Sequence, residues 1–238
     1  MIKVSGLYKV LSGQVVLDEV SLDVKEGEIL AILGASGAGK SVFLQHLIGL
    51  LKPDRGTIEI DHVEITSLSE RELLDIRKNI GYLFQEGALY DFMNVYENVS
   101  FPLMEHTDLS EKEIGEKVRD VLKLVGLEGS GQKMPGELSG GMKKRAALAR
   151  AVILNSKILF CDEPTSGLDP LRSRDISDLI LDISKQLRCT TVITSHDVRN
   201  SLRIADRLAL IQGGKIVAIG TKDQIKTSAD PLVKEFFS

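Results

Sequence analysis

Residues 34–41 read GASGAGKS, set between the apolar run EILAILG (28–34) and SVFLQHLIGLL (41–51), whose apolar residues recur at helical spacing. Strand, glycine loop and helix therefore follow in succession, the context in which the pattern G-x-x-x-x-G-K-[ST] has meaning. Glycines at 34, 37 and 39 let the backbone turn tightly with its N–H groups facing inward, and a helix opening near Lys40 adds the positive end of its dipole. Polyphosphate is the natural ligand. Lys40 would neutralise the β- and γ-phosphates and the Ser41 hydroxyl would ligate Mg²⁺, with Ser36 and Ala38 completing the cradle.

Outward from this loop the chain keeps alternating. Before it come VVLDEVSLDV (15–24) and a turn at Lys25-Glu26-Gly27; after it come TIEIDHVEI (57–65), a strand pair following Pro53 and Gly56, and the buried-looking strand IGYLF (80–84). The middle differs: EKEIGEKVRDVLKLVGL (111–127) and MKKRAALARAVILN (142–155) are amphipathic and helical, which predicts a helical insertion over 86–155. The last third returns to strands and helices: KILFCDE (157–163), SRDISDLILDISKQLR (173–188), TTVITS (190–195), VRNSLRIA (198–205), then a hairpin over DRLALIQGGKIVAIG (206–220). The expectation is an α/β core over 1–85 and 156–238, with a mainly parallel sheet covered on both faces and an antiparallel β part.

Composition bounds the function. The 238 residues are 43% hydrophobic and 27% charged, enough for one sizeable core. The net charge of −4 comes from 30 basic and 34 acidic side chains spread along the chain, so nucleic acid is not expected as a partner. Cys161 and Cys189 read as reduced core residues. No apolar run approaches the roughly 20 residues that cross a bilayer, and MIKVSGLYKV lacks a signal-peptide core. Service to a membrane process is thus expected to come by docking onto a separate membrane chain.

ILFCDE ends a buried strand on two carboxylates. Such a strand is expected beside the phosphate loop, so that Asp162 holds Mg²⁺ and Glu163 orients and deprotonates the attacking water. His196 follows TTVITS and so reaches the same carboxyl edge of the sheet, within reach of a γ-phosphate. A second anion-binding surface is expected where LSGGM (138–142) opens a helix. One site needs only one such end. The economical explanation is two chains paired head to tail, each lending this surface to its partner's nucleotide.

These motifs, with Gln85 and SGLD (166–169), occur in the order and spacing of ABC ATPases, and the resemblance spans nearly the whole chain. It implies a RecA-like phosphate-loop core, ATP and Mg²⁺ as cofactors, and a homodimer. Gln85 is then the hinge glutamine that senses metal and water, sharing the ion with Ser41 and Asp162. Ser139, Gly140 and Gly141 contact the opposite γ-phosphate, and Asp169 lies at the dimer seam. Residues 84–103 (FQEGALYDFMNVYENVSFPL), 134–151 with Met142, and the short C-terminus resemble the ATPases of Mla-type lipid transporters, which work with a polytopic membrane permease and an MCE-domain lipid-binding protein. That likeness implies a peripheral place on the cytoplasmic face of the inner membrane. An importer for another solute, or a soluble ATPase of iron–sulfur cluster assembly, would keep the same motifs.

Many ABC ATPases stack adenine on an aromatic where this chain has Leu11; Val16 is the expected apolar contact, and Tyr8 stands three residues early. Leu89, Tyr90, Phe92 and Met93 are either a docking surface for the permease or core of the helical insertion.

Overall fold

The computed structural model describes residues 1–237. Its centre is a six-stranded sheet built from β3 (Ile29–Leu33), β6 (Ile80–Leu83), β7 (Ile158–Asp162), β8 (Thr190–Ser195), β9 (Arg207–Gln212) and β10 (Lys215–Thr221), in the order β10-β9-β3-β8-β7-β6. All neighbours are parallel except the β9–β10 hairpin. Every residue of β3, β7 and β8 is buried, as a parallel sheet covered on both faces requires.

The period-two pleat divides these strands between two cores. Leu30, Ile32, Ile158, Phe160 and Val192 face α1 (Lys40–Leu47) and a second, antiparallel sheet; Ala31, Leu33, Leu159, Cys161 and Ile193 face the larger helical side. The second sheet runs β2-β1-β4-β5, from β1 (Ile2–Leu11), β2 (Gln14–Val24), β4 (Arg55–Ile60) and β5 (Val63–Glu64). Between β5 and β6 lies α2 (Glu70–Arg77), which the sequence reading passed over although Ser69 and Glu72 form a capping box at its start.

From 86 to 155 the only regular elements are helical: α3 (Val95–His106), α4 (Glu111–Leu124), a short 3₁₀ turn (Pro135–Glu137) and α5 (Gly140–Val152). Asn94 with Glu97 and Ser110 with Glu113 box the starts of α3 and α4. Buried Val99, Leu103, Val118, Leu122, Ala146 and Leu148 join these helices to the larger core. Then come α6 (Pro170–Leu187), α7 (Val198–Ile204), α8 (Lys222–Lys226) and α9 (Pro231–Phe237). Among the described residues no helix is long and apolar enough to cross a membrane.

The strand bearing Asp162 lies beside the phosphate loop without neighbouring the strand that feeds it, because β8 stands between β3 and β7. The order in which parallel strands pair is set by crossovers far apart in sequence, which local patterns do not record. Helix α1 packs on both β7 and β8. Its first turn thereby crosses the gap.

Candidate active site

The phosphate loop ends in Gly39, whose left-handed backbone (φ 97°) caps α1. A side chain there would be strained and would come within 2.8 Å of the Val16 carbonyl, so glycine is required twice over. Gly34 is needed for space alone: a Cβ would stand 2.5 Å from the Ile211 carbonyl of β9. Ser36, Gly37, Gly39, Lys40 and Ser41 line one cleft of about 400 Å³ with Gln85, Glu163 and His196. The structure therefore brings the phosphate loop, Gln85, Glu163 and His196 together. Ala38 packs behind the loop against the second core, and Val16 lies beside Gly39 rather than in the cleft wall.

Lys40 is 5% exposed, and its Nζ is held by the carbonyls of Gly34 (2.9 Å) and Ala35 (3.0 Å) and by Glu163 Oε1 (2.9 Å). The other oxygen of Glu163 accepts from His196 Nδ1 at 2.8 Å. An ionised carboxylate has nothing to donate, so the proton sits on Nδ1 and His196 presents Nε2 outward. Glu163 itself has a left-handed backbone (φ 44°), an unfavourable place for a glutamate. Its N–H bonds to the carbonyl of Thr194 (3.1 Å) and, more loosely, to the Thr194 hydroxyl (3.2 Å), which fixes the turn.

Asp162 is 6% exposed and its Oδ1 accepts two hydroxyls, Ser41 at 2.8 Å and Thr194 at 2.7 Å. A serine hydroxyl and a carboxylate converging in this way are hard oxygen donors that fit Mg²⁺. Thr194 thus supports both acids, and sequence reasoning missed it. Inside TTVITS a threonine is an ordinary strand former; only its register opposite Asp162 gives it a role.

Ser139, Gly140 and Gly141 do not line this cleft; they open α5 elsewhere on the chain, with the Ser139 hydroxyl accepting the Met142 N–H at 3.3 Å. Asp169 caps α6, accepting the N–H groups of Leu171 (3.1 Å) and Arg172 (3.0 Å), and is exposed. Both thiols are buried, and burial pushes Cys161 far above the usual thiol range. Tyr8 is covered by the Arg55 guanidinium, 4.1 Å above its ring on the antiparallel sheet, and so is already engaged.

A family model described as "ABC transporter" matches residues 17–166. The chain is 46% identical over 237 residues to "Probable ribonucleotide transport ATP-binding protein mkl" of Mycobacterium leprae, covering all of this chain and 68% of that protein. It is 42% identical to "Intermembrane phospholipid transport system ATP-binding protein MlaF" of Haemophilus influenzae, covering 99% of this chain and 89% of that protein. It is 44% identical to "Methionine import ATP-binding protein MetN" of Carboxydothermus hydrogenoformans, covering 92% of this chain and 65% of that protein. Among solved structures it superposes on the ATP-binding cassette MJ0796, a dimer in a post-hydrolysis state bound to ADP and Pi, with TM-score 0.86, 31% identity and coverage of 93% and 99% of the two chains. With the phosphate loop, Gln85, Glu163 and His196 at one cleft and a family match of this extent, the chain belongs to the ABC transporter family and is an ATPase that uses ATP and Mg²⁺.

Proposed function

We propose that this chain pairs head to tail with a second copy around two nucleotides and uses closure and reopening of that pair to drive a membrane permease that moves phospholipid or a related lipid across the cell envelope. The observation that carries the permease reading is an apolar groove of about 490 Å³ beside the Gln85 loop, lined among others by Tyr82, Phe84, Tyr90, Phe101 and Leu154. Phe92, at its edge in sequence, is 75% exposed and Tyr90 40%. Phe84, Tyr90 and Phe92 are exposed, and an aromatic surface of this kind is what a partner helix covers.

In this reading Lys40 and the loop N–H groups hold the phosphates, and Ser41, Asp162 and Gln85 hold Mg²⁺, which neutralises phosphate charge. Glu163 takes a proton from the attacking water. His196, its Nδ1 on Glu163, turns Nε2 to the γ-phosphate. Ser139, Gly140 and Gly141 complete the partner's site, Asp169 lies at the seam, and Val16 borders the base. The helices of 86–155 form the body that swings with nucleotide state, and the chain sits peripherally on the cytoplasmic face, with an MCE-domain protein in the same assembly. The lipid assignment is supported by the likeness to a phospholipid-system ATPase over nearly its whole length. A cargo such as ribonucleotide or methionine is the second reading, favoured by the names of the other relatives.

Affinity purification of the tagged chain from mild detergent tests the proposal. A polytopic permease with an MCE-domain protein and co-purifying phospholipid supports it. A permease with a periplasmic solute receptor supports the second reading, and soluble partners alone, from efficiently extracted membranes, contradict both.

A further inference from the structure

The loop that carries Gln85 is fastened to α5, the helix opened by Ser139. Lys144 lies four residues after Gly140, on the same face of that helix, and is 6% exposed. Its ammonium donates to the Gln85 carbonyl and to the Ser166 hydroxyl, the latter at 3.4 Å. Burial lowers its basicity, while the charges of Glu86, Asp162 and Glu163 act in the opposite direction. A buried cation is costly unless its donors are used, and these two acceptors use them on two different segments. Gln85 follows β6; Ser166 follows Glu163 on the way to α6. Further contacts run the same way: Gly140 lies against Leu168, and Arg150, later on α5, donates to the Gly87 and Ala88 carbonyls at 2.9 and 2.8 Å. One helix thus holds the Gln85 loop at both ends, and of the two side chains that hold it, Lys144 also reaches the segment leading to Asp169.

We propose that Lys144 is a positioning residue, a latch that sets the Gln85 loop and the Ser166–Asp169 segment against α5 so that Gln85 and the Ser139 end take their places at the two nucleotides in one movement. The inference rests on the roles given above to Gln85 and Ser139. A lysine that only filled space would matter to folding; a latch matters to turnover. Methionine keeps the length and apolar stem of the lysine and removes only its donors, so a fall in turnover in a Lys144→Met variant that is still folded separates the two.

Steady-state ATP turnover and thermal melting of purified Lys144→Met, Ser166→Ala and the double variant decide it. Expected are a kcat at least tenfold below wild type for Lys144→Met with KM for ATP within twofold, a melting temperature that leaves the variant fully folded at the assay temperature, and a double variant no worse than Lys144→Met alone. Should the methionine variant not fold, Ser166→Ala, which keeps the ammonium in place, should by itself lower kcat at least threefold at constant KM. Wild-type kcat in these variants, a KM that rises in step with the fall in kcat, or losses that multiply in the double variant would overturn the latch. A wild-type chain without turnover would instead count against the ATPase reading on which it rests.

Discussion

Lys40 and Glu163 form an ion pair of 2.9 Å with both side chains buried, so the group proposed to bind phosphate and the group proposed to activate water are held against each other. The pair makes the two residues interdependent in stability as well as in chemistry.

Lys40→Ala is therefore expected to do two things. Loss of the cation weakens Mg-ATP binding, by a hundredfold or more in isothermal titration, and leaves the Glu163 carboxylate buried with His196 as its remaining side-chain hydrogen-bond partner. Removing one partner of a buried pair costs about 3–5 kcal/mol, with His196 drawing this to the lower end. At about 2–4 °C per kcal/mol for a chain of this size, the melting temperature should fall on the order of 10 °C. Adding Glu163→Gln removes the stranded charge and should restore most of that fall. Normal affinity in Lys40→Ala, or no recovery in the double variant, would contradict the arrangement.

Adenine recognition should be lax. Leu11 cannot stack as an aromatic does, and Tyr8 is occupied by Arg55. A stacked base is worth about 1–3 kcal/mol in single-strand binders, which indicates what is missing. GTP should support turnover within about tenfold of ATP. A hundredfold preference for ATP would point to polar contacts with the base that the loop and Val16 do not suggest.

What was legible in the sequence was what lies close together along it. The phosphate loop, the acid pair, His196 and the parallel character of the sheet follow from local patterns, and the structure gathers Gly39, Lys40, Ser41, Gln85, Glu163 and His196 at one cleft. Long-range relations were not legible. The insertion of β8 between β3 and β7, and with it the service of Thr194 to Asp162 and Glu163, depends on strand order. Lys144 in MKKRAALARA reads as one more charge on an amphipathic helix until its burial is seen. Tyr90 and Phe92 were ambiguous because an apolar stretch is compatible with either side of the surface.

Tyr90 and Phe92 are exposed, which supports the proposed docking surface, whereas Leu89 packs against the larger core. Changing Tyr90 and Phe92 to Glu should leave the melting temperature within about 3 °C of wild type, since surface substitutions mostly stay within about 0.5 kcal/mol each and Tyr90 alone has further ring contacts, to Phe101 and Arg150. ATP binding should persist while co-purification of the permease is lost. A collapse of the fold would return both residues to the core, and retained co-purification would place the permease elsewhere.

Closure of two copies head to tail on nucleotide and their reopening through Glu163 can be separated by Glu163→Gln. The amide keeps the shape of the carboxylate but cannot take a proton from water, so turnover should fall at least a hundredfold while Mg-ATP is still bound. Size-exclusion chromatography with light scattering, run with and without Mg-ATP, should show this variant shifting from monomer to a stable dimer only when nucleotide is present. A variant that remains monomeric in saturating Mg-ATP, or that hydrolyses it at the wild-type rate, would contradict the account.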